Sequence, residues 1–347
     1  MNAKASSHAG FRAILAAERS GWTPLHNAVH ECNVKKVKDL ISAASNINAE
    51  DQIGRTPLHV SAQTIGSAVV AGVLLDHGAL VSASGLLRKN VTPLHVAALC
   101  GNTDVAALLL DKGGNVNATD NHKLTPLHNA AAEGHGLLVN LFIEKGANVN
   151  AREEDGATPL YFAAKSGHLD VAKRLIDSGA RVDERDNEGN TPLTLVAHGS
   201  HVLLAKLLVE AGADVDARGK GMRTPLFWTI TSEMAKLLIE KGANVDARDG
   251  WGNSPLHVLA ENGDAPLVEF LLTNGAIVNA ENKKGRTPLH WAANQQTVKV
   301  LLSNGADVEK KDKEGMTPRD LANFEKRHEV AKALPERTKK RRWWNFG

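Results

Sequence analysis

The stretch TPLHVAALCGNTDVAALLLDKGG, residues 92–114, carries start and stop signals for two helices. Thr92 is a good N-cap because its hydroxyl can accept a hydrogen bond from an otherwise unbonded amide, and Pro93 is preorganised for the first helical position. The apolar segment DVAALLL ends shortly before Gly113, and glycine accepts the left-handed backbone that closes a helix. The stretch therefore predicts a pair of short helices.

The opening word of this stretch recurs along the chain as TPLH, TPLY, TPLT, TPLF, SPLH and TPRD. Its Thr or Ser stands at residues 23, 56, 92, 125, 158, 191, 224, 254, 287 and 317, with spacings of 33, 36, 33, 33, 33, 33, 30, 33 and 30. We number these units repeats 1 to 10. One unit cannot bury both faces of its helix pair, so neighbouring units must stabilise it.

A period near 33 residues that carries T-P-L-H-x-A resembles the ankyrin-repeat family over roughly residues 20–334. The resemblance implies an all-α fold, an ankyrin-repeat α-solenoid of stacked helix pairs with hairpin-like connecting loops. We expect an N-terminal capping segment at 1–20, ten repeats over 21–334 and a basic, aromatic C-terminal tail at 335–347. Repeat 10 suits a terminal position, because Arg319 replaces the inward-facing Leu and Asp320 replaces the His.

Composition and charge narrow the class of protein. Aromatic residues make up only 4% of the 347 residues, so burial must rest on Leu, Val, Ile and Ala. The formal charge of +2 combines +4 on residues 336–347 with −2 on the remaining body, which argues against a broad nucleic-acid interface. Only Cys32 and Cys100 could pair, which favours a reducing compartment, the cytoplasm or the nucleus. The sequence has no predicted membrane span and no secretory signal, and a transit peptide at the N-terminus stays an open alternative.

The histidines invite a catalytic or metal-binding interpretation, which the repeat weakens. Six of them occupy the fourth position of the word, where the ankyrin imidazole is structural: His26, His59, His95, His128, His257 and His290. In HNAVHEC, the spacing of His26, His30 and Cys32 could hold zinc, but a fourth ligand is not evident and a structural role is favoured. No catalytic motif is present. We therefore expect no enzyme, no cofactor and no metal.

Repeats 7 and 9 each lack three residues between their helices, compared with repeat 8. Both carry a tryptophan at the fifth position of the word, Trp228 and Trp291, and Trp251 lies on the intervening hairpin. Phe162 is the aromatic residue at the same position in repeat 5. In ankyrin repeats this position faces the concave groove, and Trp is enriched at binding hot spots. The alternative is that each Trp packs on neighbouring helices and that the deletions are loop drift.

Basic residues on the surrounding hairpins sharpen the binding hypothesis. An aromatic floor with a basic rim would prefer an acidic segment with apolar anchors. We expect a protein–protein interaction module, an adaptor, scaffold or stoichiometric inhibitor, monomeric alone, that binds a protein partner through the concave groove and the hairpin tips. The candidate partner-binding residues are Phe162, Trp228, Trp251, Trp291, Arg223, Arg248, Lys284 and Arg286.

The C-terminal tail combines a basic cluster with aromatic residues in ERTKKRRWWNFG. Its candidate residues are Lys339, Lys340, Arg341, Arg342, Trp343, Trp344 and Phe346. Three roles stay open: a cap on the last repeat, a localisation or partner peptide, and membrane contact. The tail also supports an alternative function, in which the chain is a substrate-receptor or targeting subunit of a ligase-type assembly, or a pathogen effector, and the tail docks the machinery.

Overall fold

The computed structural model describes Arg19, residues 21–85 and residues 90–335. Two compact units meet in the sequence between Asn187 and Glu188, and each is described by itself. Of the predicted N-terminal cap at 1–20, only Arg19 and no other residue is described, and of the tail only Pro335. The tail candidates Lys339, Lys340, Arg341, Arg342, Trp343, Trp344 and Phe346 lie outside the described residues, and their role stays a prediction.

Paired helices make up both units, and the described residues contain no β-strand. The N-terminal unit holds the pairs of repeats 1 to 5: Pro24–His30 and Val34–Ser42, Pro57–Gln63 and Ala68–Asp76, Pro93–Cys100 and Thr103–Asp111, Pro126–Glu133 and Gly136–Glu144, Pro159–Ser166 and Leu169–Asp177. The C-terminal unit holds those of repeats 6 to 10: Pro192–Gly199 and Val202–Glu210, Pro225–Trp228 and Ser232–Glu240, Pro255–Asn262 and Ala265–Thr273, Pro288–Trp291 and Gln295–Ser303, Pro318–Phe324 and His328–Ala333. A short 3-10 turn, Lys220–Met222, precedes repeat 7.

In six repeats, the word TPLH or SPLH starts the first helix by the same side-chain arrangement. In repeat 8, the backbone N–H of Ser254 donates to Nδ1 of His257 at 3.1 Å, and the Ser254 hydroxyl lies 2.9 Å from the same nitrogen. The other ring nitrogen, Nε2, lies 3.0 Å from the backbone carbonyl of Arg286 in the next repeat. Because Nδ1 accepts, Nε2 carries the proton. The imidazole therefore caps its own helix and joins two repeats, as the structural interpretation predicted.

The leucine of the word forms the centre of the core. In repeats 1 to 9 this leucine is at most 2% exposed, and the group comprises Leu25, Leu58, Leu94, Leu127, Leu160, Leu193, Leu226, Leu256 and Leu289. Repeat 10 has Arg319 instead, whose Nη1 donates to the carbonyl of Leu334 at 3.1 Å. Asp320 takes over the capping role of the histidine, because its Oδ2 accepts from the Thr317 hydroxyl at 2.8 Å.

The hairpins between repeats turn through a left-handed residue that is not always glycine. Gly252 takes this conformation in the hairpin before repeat 8, with φ of 80°. Lys123 and Met222 occupy the corresponding positions before repeats 4 and 7 with φ of 60° and 61°, so the turn survives both replacements. These two residues carry the small strain that a side chain adds in this region.

The three-residue deletions shorten the first helix of repeats 7 and 9 rather than only the connector. Pro225–Trp228 is a single 3-10 turn of four residues, and Pro288–Trp291 is an α-helical turn of four residues. The corresponding helix of repeat 8, Pro255–Asn262, has eight residues. Because an α-helix needs 3.6 residues per turn, the deletion removes nearly one turn. The second helices keep nine residues in repeats 7, 8 and 9.

Candidate protein-binding surface

Three aromatic rings surround the guanidinium of Arg223 in repeats 7 and 8. The guanidinium carbon lies 5.4 Å from the ring centroid of Trp228, 5.9 Å from that of Trp251 and 5.9 Å from that of Phe227. All three distances are within the range of a cation–π interaction. Arg223 Nε also approaches Oδ2 of the buried Asp249, at 3.4 Å. We call these five residues the Arg223 cluster.

Trp251 is the exposed member of the Arg223 cluster. Its residue surface is 62% exposed, yet its position is constrained on several sides. The Trp251 backbone N–H donates to Asp249 Oδ1 at 2.9 Å, and its carbonyl accepts from the N–H of Lys283 at 3.0 Å. The ring covers Gly221, since a Cβ added there would lie 3.4 Å from it. The hairpin therefore presents the indole to solvent in a defined orientation.

Trp228 closes the inner side of the Arg223 cluster. It packs against the small apolar core of Phe227, Ala247 and Val258. Its ring meets that of His198 edge-on, with centroids 5.9 Å apart and an interplanar angle of 89°. Its indole Nε1 is buried and donates to no acceptor among the described residues. A buried donor without an acceptor costs free energy, so the Trp228 environment is not optimised for stability alone.

Trp291 and Phe162 each pack against a capping histidine of the repeated word. Trp291 packs edge-on against His257, with ring centroids 6.1 Å apart. Phe162 belongs to the N-terminal unit, where its ring meets His128 at 5.7 Å in the same edge-on way. The structure thus brings Trp228 and Trp251 together on Arg223, and it gives Trp291 and Phe162 contacts of their own.

The basic residues of the predicted rim differ in what they bind. Arg248 Nη1 donates to two backbone carbonyls, those of Gly252 at 3.0 Å and Glu281 at 3.2 Å, and Lys284 is exposed. Arg286 instead forms ion pairs with Asp312 at 3.0 Å and Glu314 at 2.8 Å. Burial alone would lower the pKa of Arg286, but these two carboxylates outweigh it and raise the pKa. The Arg286 charge is therefore already compensated within the chain.

Three apolar residues in or beside repeat 7, Met222, Phe227 and Ile230, were not among the candidates from the sequence. Met222 and Ile230 are 53% and 57% exposed in repeat 7, and both flank the shortened helix in sequence. Phe227 was passed over, although it stands at the histidine position of its word. That replacement was a usable signal, because the phenylalanine side chain has no polar atom with which to cap the helix and must pack elsewhere.

A second charged surface in the N-terminal unit is neutralised by its own residues. A shallow depression is lined by Arg152, Arg181, Asp183, Glu184, Arg185 and Asp186. Glu184 pairs with both Arg152 and Arg181, the latter at 3.1 Å. Tyr161 donates its hydroxyl hydrogen to Asp186 at 2.5 Å. These contacts are those of a structural ion-pair network.

The zinc alternative at repeat 1 has no supporting geometry. His26 Nδ1 lies 2.8 Å from the Thr23 hydroxyl, and His26 Nε2 lies 2.9 Å from the carbonyl of Arg55, so both ring nitrogens are engaged. Within residues 21–85 and 90–335, no group of three or more His, Cys, Asp or Glu side chains is placed to hold a metal ion. Cys32 and Cys100 are not joined in a disulfide. None of the described helices is long and apolar enough to cross a membrane.

Sequence comparison identifies the class of protein that the helix pairs and capping histidines define. The profile of the family described as ankyrin repeats in three copies matches overlapping segments that run from residue 4 to residue 340. The chain therefore belongs to the ankyrin-repeat family. Ankyrin repeats generally bind proteins and are typically non-catalytic.

The curated relatives match through a few repeats only. The putative palmitoyltransferase ZDHHC13 of Danio rerio is 32% identical over 106 residues, which is 30% of this chain and 16% of the relative. The inactive serine/threonine-protein kinase TEX14 of Bos taurus is 35% identical over 96 residues, 28% of this chain and 6% of the relative. The RelA-associated inhibitor of Mus musculus is 41% identical over 66 residues, 19% of this chain and 8% of the relative. The matched regions thus span at most 16% of these three relatives.

Proposed function

We propose that this chain is a non-enzymatic protein-binding module that holds its partner at the Arg223 cluster. The observation that carries the proposal is Trp251, which is 62% exposed while its backbone and ring are held by Asp249, Lys283 and Gly221. An exposed indole in a fixed orientation offers a large apolar area at little cost in conformational entropy. Such residues commonly dominate the binding free energy of an interface.

The surrounding residues suit a partner segment with apolar anchors and acidic flanks. Met222 and Ile230 add exposed apolar surface in repeat 7, and Arg248 and Lys284 add positive charge. Trp291 extends the aromatic surface in repeat 9, whereas Arg286 contributes less because its charge is paired. Phe162 would serve a separate contact on the N-terminal unit.

The biological role that fits such a module is that of an adaptor, scaffold or stoichiometric inhibitor. Cys32 and Cys100 form no disulfide, which suits the cytoplasm or the nucleus. One relative carries the name RelA-associated inhibitor, which describes association with another protein. The alternative of a targeting subunit or effector rests on the basic, aromatic tail and would require the tail to dock a second assembly.

The function is tested by replacing the exposed tryptophan. Crosslinking with mass spectrometry in the native cell first identifies the partner, and a titration then measures its Kd. Trp251→Ala should weaken binding at least about tenfold, or ~1.4 kcal/mol, and leave the melting curve unchanged, because an exposed hairpin residue supports little core. Trp228→Ala and Trp291→Ala should also weaken binding, but each needs a melting curve because both residues pack on histidines.

The matched control is Asn27→Ala, at the fifth position of the word in repeat 1. This variant should bind like the parent protein. If the three Trp variants bind normally and Asn27→Ala does not, the partner docks at the N-terminal repeats and the Arg223 cluster is only structural.

A further inference from the structure

Arg223 and Arg286 occupy the same position, directly before the helix-starting Thr of repeats 7 and 9. Each side chain reaches the hairpin of the following repeat, where an aspartate accepts from Nε: Asp249 for Arg223 and Asp312 for Arg286. The two arginines can therefore be compared as equivalent groups in one chain. Arg286 is the one whose charge is fully compensated at this place in the repeat.

Arg286 has two carboxylates. Its Nε donates to Asp312 at 3.0 Å, and its Nη2 donates to Glu314 at 2.8 Å. Its side chain is 15% exposed. Glu314 stands three residues before Thr317, the first residue of the word in repeat 10.

Arg223 has only the first of these two partners, and holds it less closely. Its Nε lies 3.4 Å from Asp249 Oδ2, which also accepts from Asn253 Nδ2 at 3.1 Å. The residue three positions before the word of repeat 8 is Trp251, so an aromatic ring stands where repeat 10 supplies Glu314. No acceptor among the described residues takes a hydrogen bond from the Arg223 Nη atoms, and the side chain is 22% exposed.

The charges around Arg223 favour a carboxylate at the place where Glu314 lies beside Arg286. Lys220 pairs with Glu188 at 2.7 Å, but the nearby cations Arg248 and Lys283 donate to backbone carbonyls. Carbonyl oxygens satisfy the donors without neutralising their charge. An incoming carboxylate would therefore meet a positive surface with an aromatic wall, where a guanidinium–carboxylate pair is partly shielded from water.

We propose that Arg223 is the receptor for one Asp or Glu side chain of the partner. The carboxylate binds the free Nη donors in the place that Glu314 fills for Arg286, and an adjacent apolar residue of the same segment lies on Trp251. This inference rests on the proposed function and adds to it the group that selects the partner. The aromatic residues supply binding area, and Arg223 supplies the requirement for an acid.

A library of random peptides displayed on phage, selected against the full chain, provides the probe. We expect selected peptides to share an acidic residue beside an apolar one. Changing that Glu to Gln, or Asp to Asn, in a synthetic copy should raise the Kd for the wild-type chain about tenfold, or ~1.4 kcal/mol. With Arg223→Gln, the same peptide change should have almost no effect, which is the signature of direct coupling.

Further variants test whether the effect of the peptide's acid depends on Arg223 itself. With Arg286→Gln as the matched control, the effect of the peptide change should persist. Arg223→Lys should retain part of it, because Lys keeps the charge but loses the fork of donors. Trp251→Glu should weaken binding of the acidic peptide more than Trp251→Gln, because the new carboxylate would occupy the Arg223 donors as Glu314 does for Arg286.

The outcomes distinguish this inference from the proposed function. Selected peptides that lack an acid but still lose binding with Trp251→Ala would leave the docking surface standing and overturn the role of Arg223. An acid effect that persists with Arg223→Gln would overturn it as well. A selection that yields no peptide dependent on Trp251 would count against both.

Discussion

At the scale of single residues, the fourth position of the word decides how firmly each repeat is capped. Six repeats use a histidine that bonds its own Thr or Ser and a carbonyl of the next repeat, as His59 does with Thr56 at 2.9 Å and Val91 at 3.0 Å. Repeat 7 has Phe227 instead, and the buried hydroxyl of Thr224 finds no acceptor or donor among the described residues. The incompletely capped repeat 7 is therefore the one directly before the hairpin that carries the exposed Trp251.

The capping histidines make stability depend on pH. Burial lowers the pKa of His59 and of His257 from 6.5 to about 4, so the unfolded chain binds protons that the folded chain does not. Stability should be full above pH ~6.5 and should fall as the pH drops towards ~4, by about 3 kcal/mol at most for each such histidine. Urea unfolding at several pH values measures the slope. In a His59→Asn variant the slope should be shallower, and an unchanged slope would contradict the assignment.

At the scale of helices, the shortened first helices of repeats 7 and 9 end differently. In repeat 9, the guanidinium of Arg327 donates to the carbonyls of His290 at 2.7 Å and Ala292 at 2.5 Å, which the missing helical turn leaves without their usual donors. The residue at the position of Arg327 in repeat 8 is Asp264, whose carboxylate caps its own helix at Leu267. Asp264 cannot donate to the shortened turn of repeat 7. One deletion is therefore repaired by the next repeat and the other is not.

Removing the Arg327 hydrogen bonds should destabilise repeats 9 and 10. Arg327→Ala leaves two carbonyls in a partly buried place without a donor and should lower the free energy of unfolding by about 1–3 kcal/mol. Hydrogen exchange should increase in Gln295–Ser303 and in His328–Ala333. Lys332→Ala, which alters a side chain 72% exposed in the same repeat, should change neither. Equal exchange in the Arg327 variant and the parent would show that the guanidinium contributes nothing.

At the scale of the whole molecule, contacts run from each repeat to its sequence neighbours within a unit. Capping histidines bond a carbonyl of the following repeat. Hairpin asparagines also join repeats: Asn117 Nδ2 donates to the carbonyl of Gly146, and Asn117 Oδ1 accepts from the N–H of Asn148. Stability in such an arrangement is approximately a sum of repeat and nearest-neighbour contributions. A local lesion should therefore have a local effect.

Leu160→Asp tests this locality. The substitution places a charge at a fully buried site in repeat 5 and should abolish exchange protection in repeats 4 and 5, while repeat 1 keeps its protection. Leu137→Asp is the matched control, because Leu137 in repeat 4 is 75% exposed and should tolerate the charge. Uniform loss of protection through the N-terminal unit would instead indicate that it unfolds as one cooperative block.

The sequence by itself determined the repeat, the start of each first helix and the buried leucines. These features depend on chemistry within a few residues: Thr or Ser caps, Pro begins the helix, and the histidine side chain reaches back to its own cap. The two shortened repeats could also be recognised by spacing alone. Their structural consequence, a first helix of four residues, could not, because the deletion could have been absorbed by the connector.

Only the tertiary structure decided which candidate residues meet. Trp228 and Trp251 share Arg223, whereas Trp291 lies on His257 and Arg286 is compensated by Asp312 and Glu314. All of these contacts except that of Trp228 with Arg223 join residues of neighbouring repeats, and Arg223 and Arg286 look equivalent in the sequence. The physical difference is whether a carboxylate or an indole stands opposite the guanidinium, and that depends on the packing of one repeat against the next.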